Sequence, residues 1–126
     1  MADERVELVW VGQSRQALGG FPDDVKRVIG FALHLAQVGE KHDQAKPLKS
    51  FGGTGVLEVV EDHDRNTYRA VYTVKFDDGV YVLDAFQKKS VKGAKTPQAD
   101  IDRIKERLKL AREIRNERER RNEKGR

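Results

Sequence analysis

The chain contains no cysteine, one methionine, one tryptophan, three prolines and three histidines. Without thiols there is no disulfide, no thiolate metal ligand and no cysteine nucleophile, and a reducing compartment is permitted. The cytoplasm is the expected location. No apolar stretch approaches the roughly 20 residues of a membrane span. The opening "MADERVELVW" sets acids and a strand-like run where an export signal needs a basic segment and then an apolar one. Neither export nor a membrane partner is expected. His34, His42 and His63 fall on a helix and two loops without ligand spacing. A zinc site needs convergent His, Cys or carboxylate groups, so no metal is expected, and no cofactor.

What is present is charge. Charged residues make up 37% of the 126, equal to the hydrophobic share, so part of the chain must be heavily solvated around a compact single core. The formal net charge of +4 is modest, and its distribution says more than its sum. From Arg103 to Arg126 eleven Lys or Arg face five Glu, whereas the first half is nearly balanced.

Hydrophobic periodicity orders the rest. "VELVWV" from Val6 reads as a strand ended by Gly12, and Ser14 as the cap of a short helical turn closed by Gly19 and Gly20. Pro22, Asp23 and Asp24 suit a helix start, and Val25, Val28, Ile29, Ala32, Leu33 and Ala36 recur at three-and-four spacing up to Gly39. Lys41 to Thr54, with Pro47, reads as a connection holding at most a short ordered turn. Three strands follow, from Val56, Thr67 and Val80, separated by "HDRN" and "DDG", the turn chemistry of consecutive hairpins. Over Thr67–Phe76 the period of two puts Tyr68, Ala70, Tyr72, Val74 and Phe76 on one face and Arg69 on the other. Thr96 and Pro97 then read as cap and first turn of a last helix buried through Ile101, Ile104, Leu108, Ala111 and Ile114. Beyond Ile114 no apolar residue follows, so the end is a projecting helix or a frayed tail. The fold class is α+β: a small antiparallel sheet, an N-terminal strand plus a three-stranded meander, packed against helices.

Two features bear on chemistry. "AFQKKSVKGAKTP" from Ala85 sets Lys88, Lys89, Lys92 and Lys95 within eight positions, behind an apolar run and ahead of a helix start. Arg69 lies in mid-strand, where a charge needs a partner or a ligand, and Glu58 on the preceding strand is a candidate partner. By contrast, the glycines of "GGTG" from Gly52 follow a loop and precede a strand, the wrong context for a phosphate cradle, and read as turn geometry. A surface shared by Glu58, Arg69 and the lysines suits RNA cleavage by the neighbouring 2′-hydroxyl. That reaction needs a base, positive charge against the phosphorane, and an acid for the leaving oxygen. Arginine offers a planar fork to phosphate, and a lysine crowded by cations can lose its proton nearer neutrality. No histidine stands near the end of the last strand, so acid catalysis would fall to a lysine, Tyr72 or Tyr81.

These residues carry a resemblance. Lys46, Pro47 and Leu48 with Phe51 and Gly52, then "GVLEV", "YRAVY", "YVLDAFQKKS" and "KTPQADIDRIKERL", taken in order, resemble the HigB-like, phage-related branch of the RelE/ParE toxin superfamily through most of the chain. The resemblance implies a toxin domain over residues 1–114 followed by a charged helical extension or tail over 115–126. It implies an endoribonuclease cutting messenger RNA, usually on the ribosome, and neutralised by a cognate antitoxin of helix-turn-helix type. Arg69 would contact the scissile phosphate, Lys88 and Lys89 would supply the basic strand end, Glu58 would match a base, and Lys46, Lys92 and Lys95 would bind RNA. Two alternatives stand beside this reading: a ParE-like toxin that inhibits a DNA topoisomerase without cutting RNA, and a non-catalytic RNA- or ribosome-binding protein using the basic tail.

Overall fold

The computed structural model of the protein describes residues 5–53, 55–88 and 96–124. In chain order these form β1 (Glu7–Trp10), α1 (Ser14–Gly19), α2 (Asp23–Gln37), β2 (Ala45–Pro47), a 3-10 turn (Lys49–Phe51), β3 (Val56–His63), β4 (Asn66–Thr73), β5 (Gly79–Lys88) and α3 (Gln98–Lys124). The α+β class and the meander β3–β4–β5 follow the expectation. The five strands lie in the order β1-β5-β4-β3-β2. Every adjacent pair is antiparallel except β1 with β5, which run parallel, so the sheet is mixed. Two helices intervene before β2, and the first strand returns beside the last instead of pairing through a hairpin. Among the described residues no helix is long and apolar enough to cross a membrane.

Each face of the sheet carries a helix. On one, Val25, Ile29, Ala32, Leu33 and Ala36 of α2 pack on Val59, Tyr68, Ala70, Tyr72, Val80, Val82 and Ala85. On the other, Ile101, Ile104 and Ala111 of α3 pack on Val9, Val11, Val56, Val71, Tyr81 and Leu83. A fully buried Ile or Leu contributes roughly 1.5–3 kcal/mol, so the α2 stripe outweighs any local propensity in fixing that helix. Arg69 therefore points toward α3, into a second packed face.

Four local readings change. Ser14 does not cap α1; it is fully buried, and its Oγ donates to the Val82 carbonyl at 3.0 Å, tying α1 to β5. β4 stops at Thr73, because the amides of Val74 and Lys75 turn to the Gly55 carbonyl and to Thr73 Oγ1. Val74 is left exposed, and Phe76 joins the α3-side core rather than the α2 side. The connection after α2 holds a short edge strand, β2, paired with β3. The charged end of the last helix stays helical to Lys124, and it is held: Arg118 pairs with Glu7 at 2.6 Å and Asp78 at 3.3 Å, and Arg115 with Asp77 at 3.8 Å.

Turn chemistry explains the hairpins. At the β3–β4 turn both Asp64 (φ 49°) and Arg65 (φ 66°) are left-handed, the geometry whose twist suits a two-residue hairpin. Gly53 (φ 76°) and Gly55 (φ 73°) serve turns, as "GGTG" suggested, and a Cβ at Gly55 would press on Lys75 at 3.3 Å.

Candidate functional site

β3 and β4 pair so that Glu58 faces Val71 and Arg69 faces Val60. Glu58 and Arg69 are thus diagonal neighbours on the α3 face, a spacing that long side chains bridge. Arg69 Nη1 donates to Glu58 Oε2 at 2.7 Å. From the edge strand, Lys46 stands directly opposite Glu58 and brings Nζ to 3.8 Å from Oε1. Lys88 ends β5 opposite Thr67, buried on the same side of the sheet. Glu58, Arg69, Lys46 and Lys88 are therefore gathered on one face. Lys89, Lys92 and Lys95 lie outside the described residues.

Glu58, Arg69 and Lys46 open into a cleft of about 560 Å³ between the sheet edge and the start of α3. Lys46, Lys49 and Ser50 line one wall, Glu58 and Arg69 the floor, and Thr96, Gln98 and Ile101 the other wall. Two smaller depressions, near Val38 and near Arg118, share none of these residues. Thr96 holds Arg69 from the helix side, its hydroxyl accepting from Nη1 at 3.2 Å. Arg69 Nε is buried with no hydrogen-bond partner among the described residues. An unmet buried donor costs about 1–3 kcal/mol, so the guanidinium is held in a geometry that suits an additional acceptor.

Electrostatics single out Lys88. Burial lowers its pKa below that of an ordinary lysine, the Arg69 charge lowers it further, and Glu58 and Asp100 partly oppose the shift. This is the direction the sequence led us to expect of a lysine crowded by cations. The tyrosines do not share the role. Tyr72 is fully buried on the α2 face, and burial pushes its hydroxyl up to about 12. Tyr81 is buried too and donates to Asp78 at 2.8 Å at the opposite end of β5; burial and that bond raise its pKa far above the ordinary value. Among the described residues no three His, Cys, Asp or Glu side chains group in a way that could hold a metal ion.

A second polar cluster lies behind the cleft. Between Val71 and Tyr72 the β4–β5 register shifts, so Val71 faces Asp84 while Tyr72 faces Val82, leaving Leu83 as a bulge. Leu83 and Asp84 consequently both serve the α3 side. Leu83 joins the apolar core, and Asp84 takes Arg103 Nε at 2.8 Å and Arg107 Nη1 at 2.7 Å. Arg107 also runs against Gly12 (φ 59°), where a Cβ would meet its Nε at 3.0 Å. These bonds fix α3 to the sheet and so place Thr96 and Gln98 at the cleft.

Sequence reasoning overlooked Thr96 as a partner of Arg69, having read it as a cap, and it passed over Lys49, Gln98 and Asp84. The Asp84 signal was available: a lone acid inside "VYVLDAF" demands a partner as Arg69 does. Thr96 and Gln98 carried no such signal, since polar residues at a helix start are ordinary.

A small α+β domain with a cation-rich cleft at one sheet edge is the class that fold and site define. Residues 16–109 match the model of the family phage derived protein Gp49-like (DUF891), and the chain belongs to that family, which is of the RelE/HigB-like toxin kind. No curated protein and no solved structure matches the chain.

Proposed function

We propose that the protein is the toxin of a toxin–antitoxin pair and acts as an endoribonuclease on messenger RNA at the ribosome. The observation that carries this reading is the convergence of Arg69 and Lys46 on one carboxylate, Glu58, in an open cleft, with Lys88 buried on the same face of the sheet. Two cations on one acid leave positive charge for an incoming anion, and a phosphodiester is the anion a planar guanidinium fits.

Each step falls to a side chain. Arg69 holds the non-bridging oxygens of the scissile phosphate and stabilises the charge of the phosphorane. Glu58 removes the 2′-hydroxyl proton, and the freed oxygen attacks phosphorus. The bond to the 5′-oxygen breaks, and Lys88, whose lowered pKa eases proton release, protonates it. The products are a 2′,3′-cyclic phosphate and a 5′-hydroxyl. Lys46 and Lys49, at the mouth, attract the flanking backbone. Lys89, Lys92 and Lys95 extend the positive charge along the chain, and a helix-turn-helix antitoxin would neutralise the toxin by direct binding.

The non-catalytic reading relies on a free basic tail, and the ion pairs of Arg115 and Arg118 with Asp77, Asp78 and Glu7 weaken it. The test is inducible expression with mapping of RNA ends, compared with Arg69→Ala and with the Lys88→Ala/Lys89→Ala double variant. Breaks that vanish in both support the site. Breaks that persist in both remove it, and growth arrest with intact RNA and damaged DNA supports a topoisomerase poison instead.

A further inference from the structure

The ion pair on the cleft floor occupies the position a substrate phosphate needs. Glu58 and Arg69 keep only 7% and 11% of their side-chain surface exposed, and they meet at 2.7 Å. Arg69 uses Nη1 for both Glu58 and Thr96, while its Nε is buried with no acceptor among the described residues. Opening a buried ion pair without replacement strands a charge. The pair therefore opens for a ligand that takes over the carboxylate's role, which a neutral molecule cannot do. A phosphodiester carries the required charge and presents two non-bridging oxygens to the guanidinium, where Glu58 reaches one corner.

We propose that Glu58 is an internal counter-ion which an RNA phosphodiester must displace from Arg69, so that the resting protein competes with its own substrate for the guanidinium. The inference rests on the reading of the cleft as an RNA-cleavage site. The exchange leaves no carboxylate stranded, because Lys46 already lies 3.8 Å from the other oxygen of Glu58 and, 65% exposed, is free to follow it. Displacement also turns Glu58 from a ligand of Arg69 into a group available to the 2′-hydroxyl. Substrate binding would thus assemble the base, and affinity in the resting state is held down.

The test is Glu58→Gln, which keeps the shape and removes the charge. Binding of inorganic phosphate, and of a 2′-deoxy oligonucleotide that lacks the nucleophile, is measured by titration calorimetry at low salt. Both ligands should bind roughly 10-fold more tightly to the variant, about 1.4 kcal/mol, while RNA cleavage falls. Equal or weaker binding overturns the proposal, as does failure of both proteins to bind either ligand. If the variant does not fold, a structure of the wild-type protein with the 2′-deoxy oligonucleotide decides. Glu58 parted from Arg69 by a phosphate upholds the exchange, and an intact pair beside a bound phosphate overturns it. A wild-type protein that cuts no RNA, alongside tighter anion binding by the variant, would sink the nuclease reading and leave the exchange standing.

Discussion

Two buried ion clusters sit on the same face of the sheet, and they differ in how completely their charges are matched. Asp84 is 3% exposed and receives Arg103, Arg107 and the Ala85 amide, so both of its oxygens are engaged. With Asp100 also bound to Arg103, the cluster balances two acids against two arginines and bridges β5 to α3. Glu58 is nearly as buried, yet it faces two cations, one of them at 3.8 Å, and its floor opens into the cleft. Burial of charge is common to both. Excess charge beside solvent belongs only to the second, and that excess is what a ligand can use.

The comparison can be broken at Asp84. Asp84→Ala removes the acceptor that Arg103 and Arg107 share, leaving Arg103 with Asp100 and Arg107 with the Leu83 carbonyl, and loss of hydrogen bonds between charged groups of this kind costs about 1.5–3 kcal/mol. Urea unfolding should show a drop of that size, with the folded fraction still cutting RNA. A stability loss below about 1 kcal/mol would show the cluster to be idle. At the other cluster, Arg69→Lys keeps a positive charge for Glu58 but removes the planar fork. Cleavage should fall roughly 100-fold with little change in melting temperature, measured on one purified preparation. The opposite pattern, stability lost and cleavage kept, would make the Glu58–Arg69 pair structural as well.

A smaller effect is expected at the helix end. Arg118 bonds Glu7 and Asp78 with about a third of its side chain exposed, so Arg118→Ala should cost about 0.5–1 kcal/mol. Amide exchange over residues 115–124 should quicken, cleavage should stay, and the loss should shrink at high salt. The smallest effect concerns Lys88. Its folded pKa lies below the unfolded value, so between the two the unfolded chain binds more protons and stability rises with pH. The penalty is in full force below that window and gone above about 10.4. Denaturation of wild type and Lys88→Met from pH 7 to pH 10 should show the rise in the first and its absence in the second. Parallel curves would mean that Lys88 is not perturbed.

Legibility followed the range of the interactions. The α2 stripe was readable because three-and-four spacing is a property of the helix itself, and Val25, Ile29, Ala32, Leu33 and Ala36 are buried as that spacing required. The hairpins were readable from their turns. The Glu58–Arg69 pair was readable because a mid-strand charge must be answered, and the neighbouring strand held one answer. The bond from Arg69 to Thr96 was not readable because helix-start chemistry and a contact with a strand 27 positions away look identical in one dimension. Phe76 was placed on the wrong face because the alternation was extended past Thr73, where the backbone leaves the sheet.

By itself the sequence determined the α+β class, the helix that covers one face, the meander, the absence of thiol chemistry and the need of Arg69 for a partner or ligand, with Glu58 as a candidate. Each depends on local periodicity, turn stereochemistry or the cost of an unanswered charge. Tertiary structure alone decided the parallel β1–β5 pairing, the bulge that turns Asp84 toward α3, the placement of Lys46 opposite Glu58, and the cleft between them. Those depend on which strands become neighbours and in what register. A shift of one residue would send Arg69 and Asp84 into the apolar α2 face, and burial of the whole core decides against it.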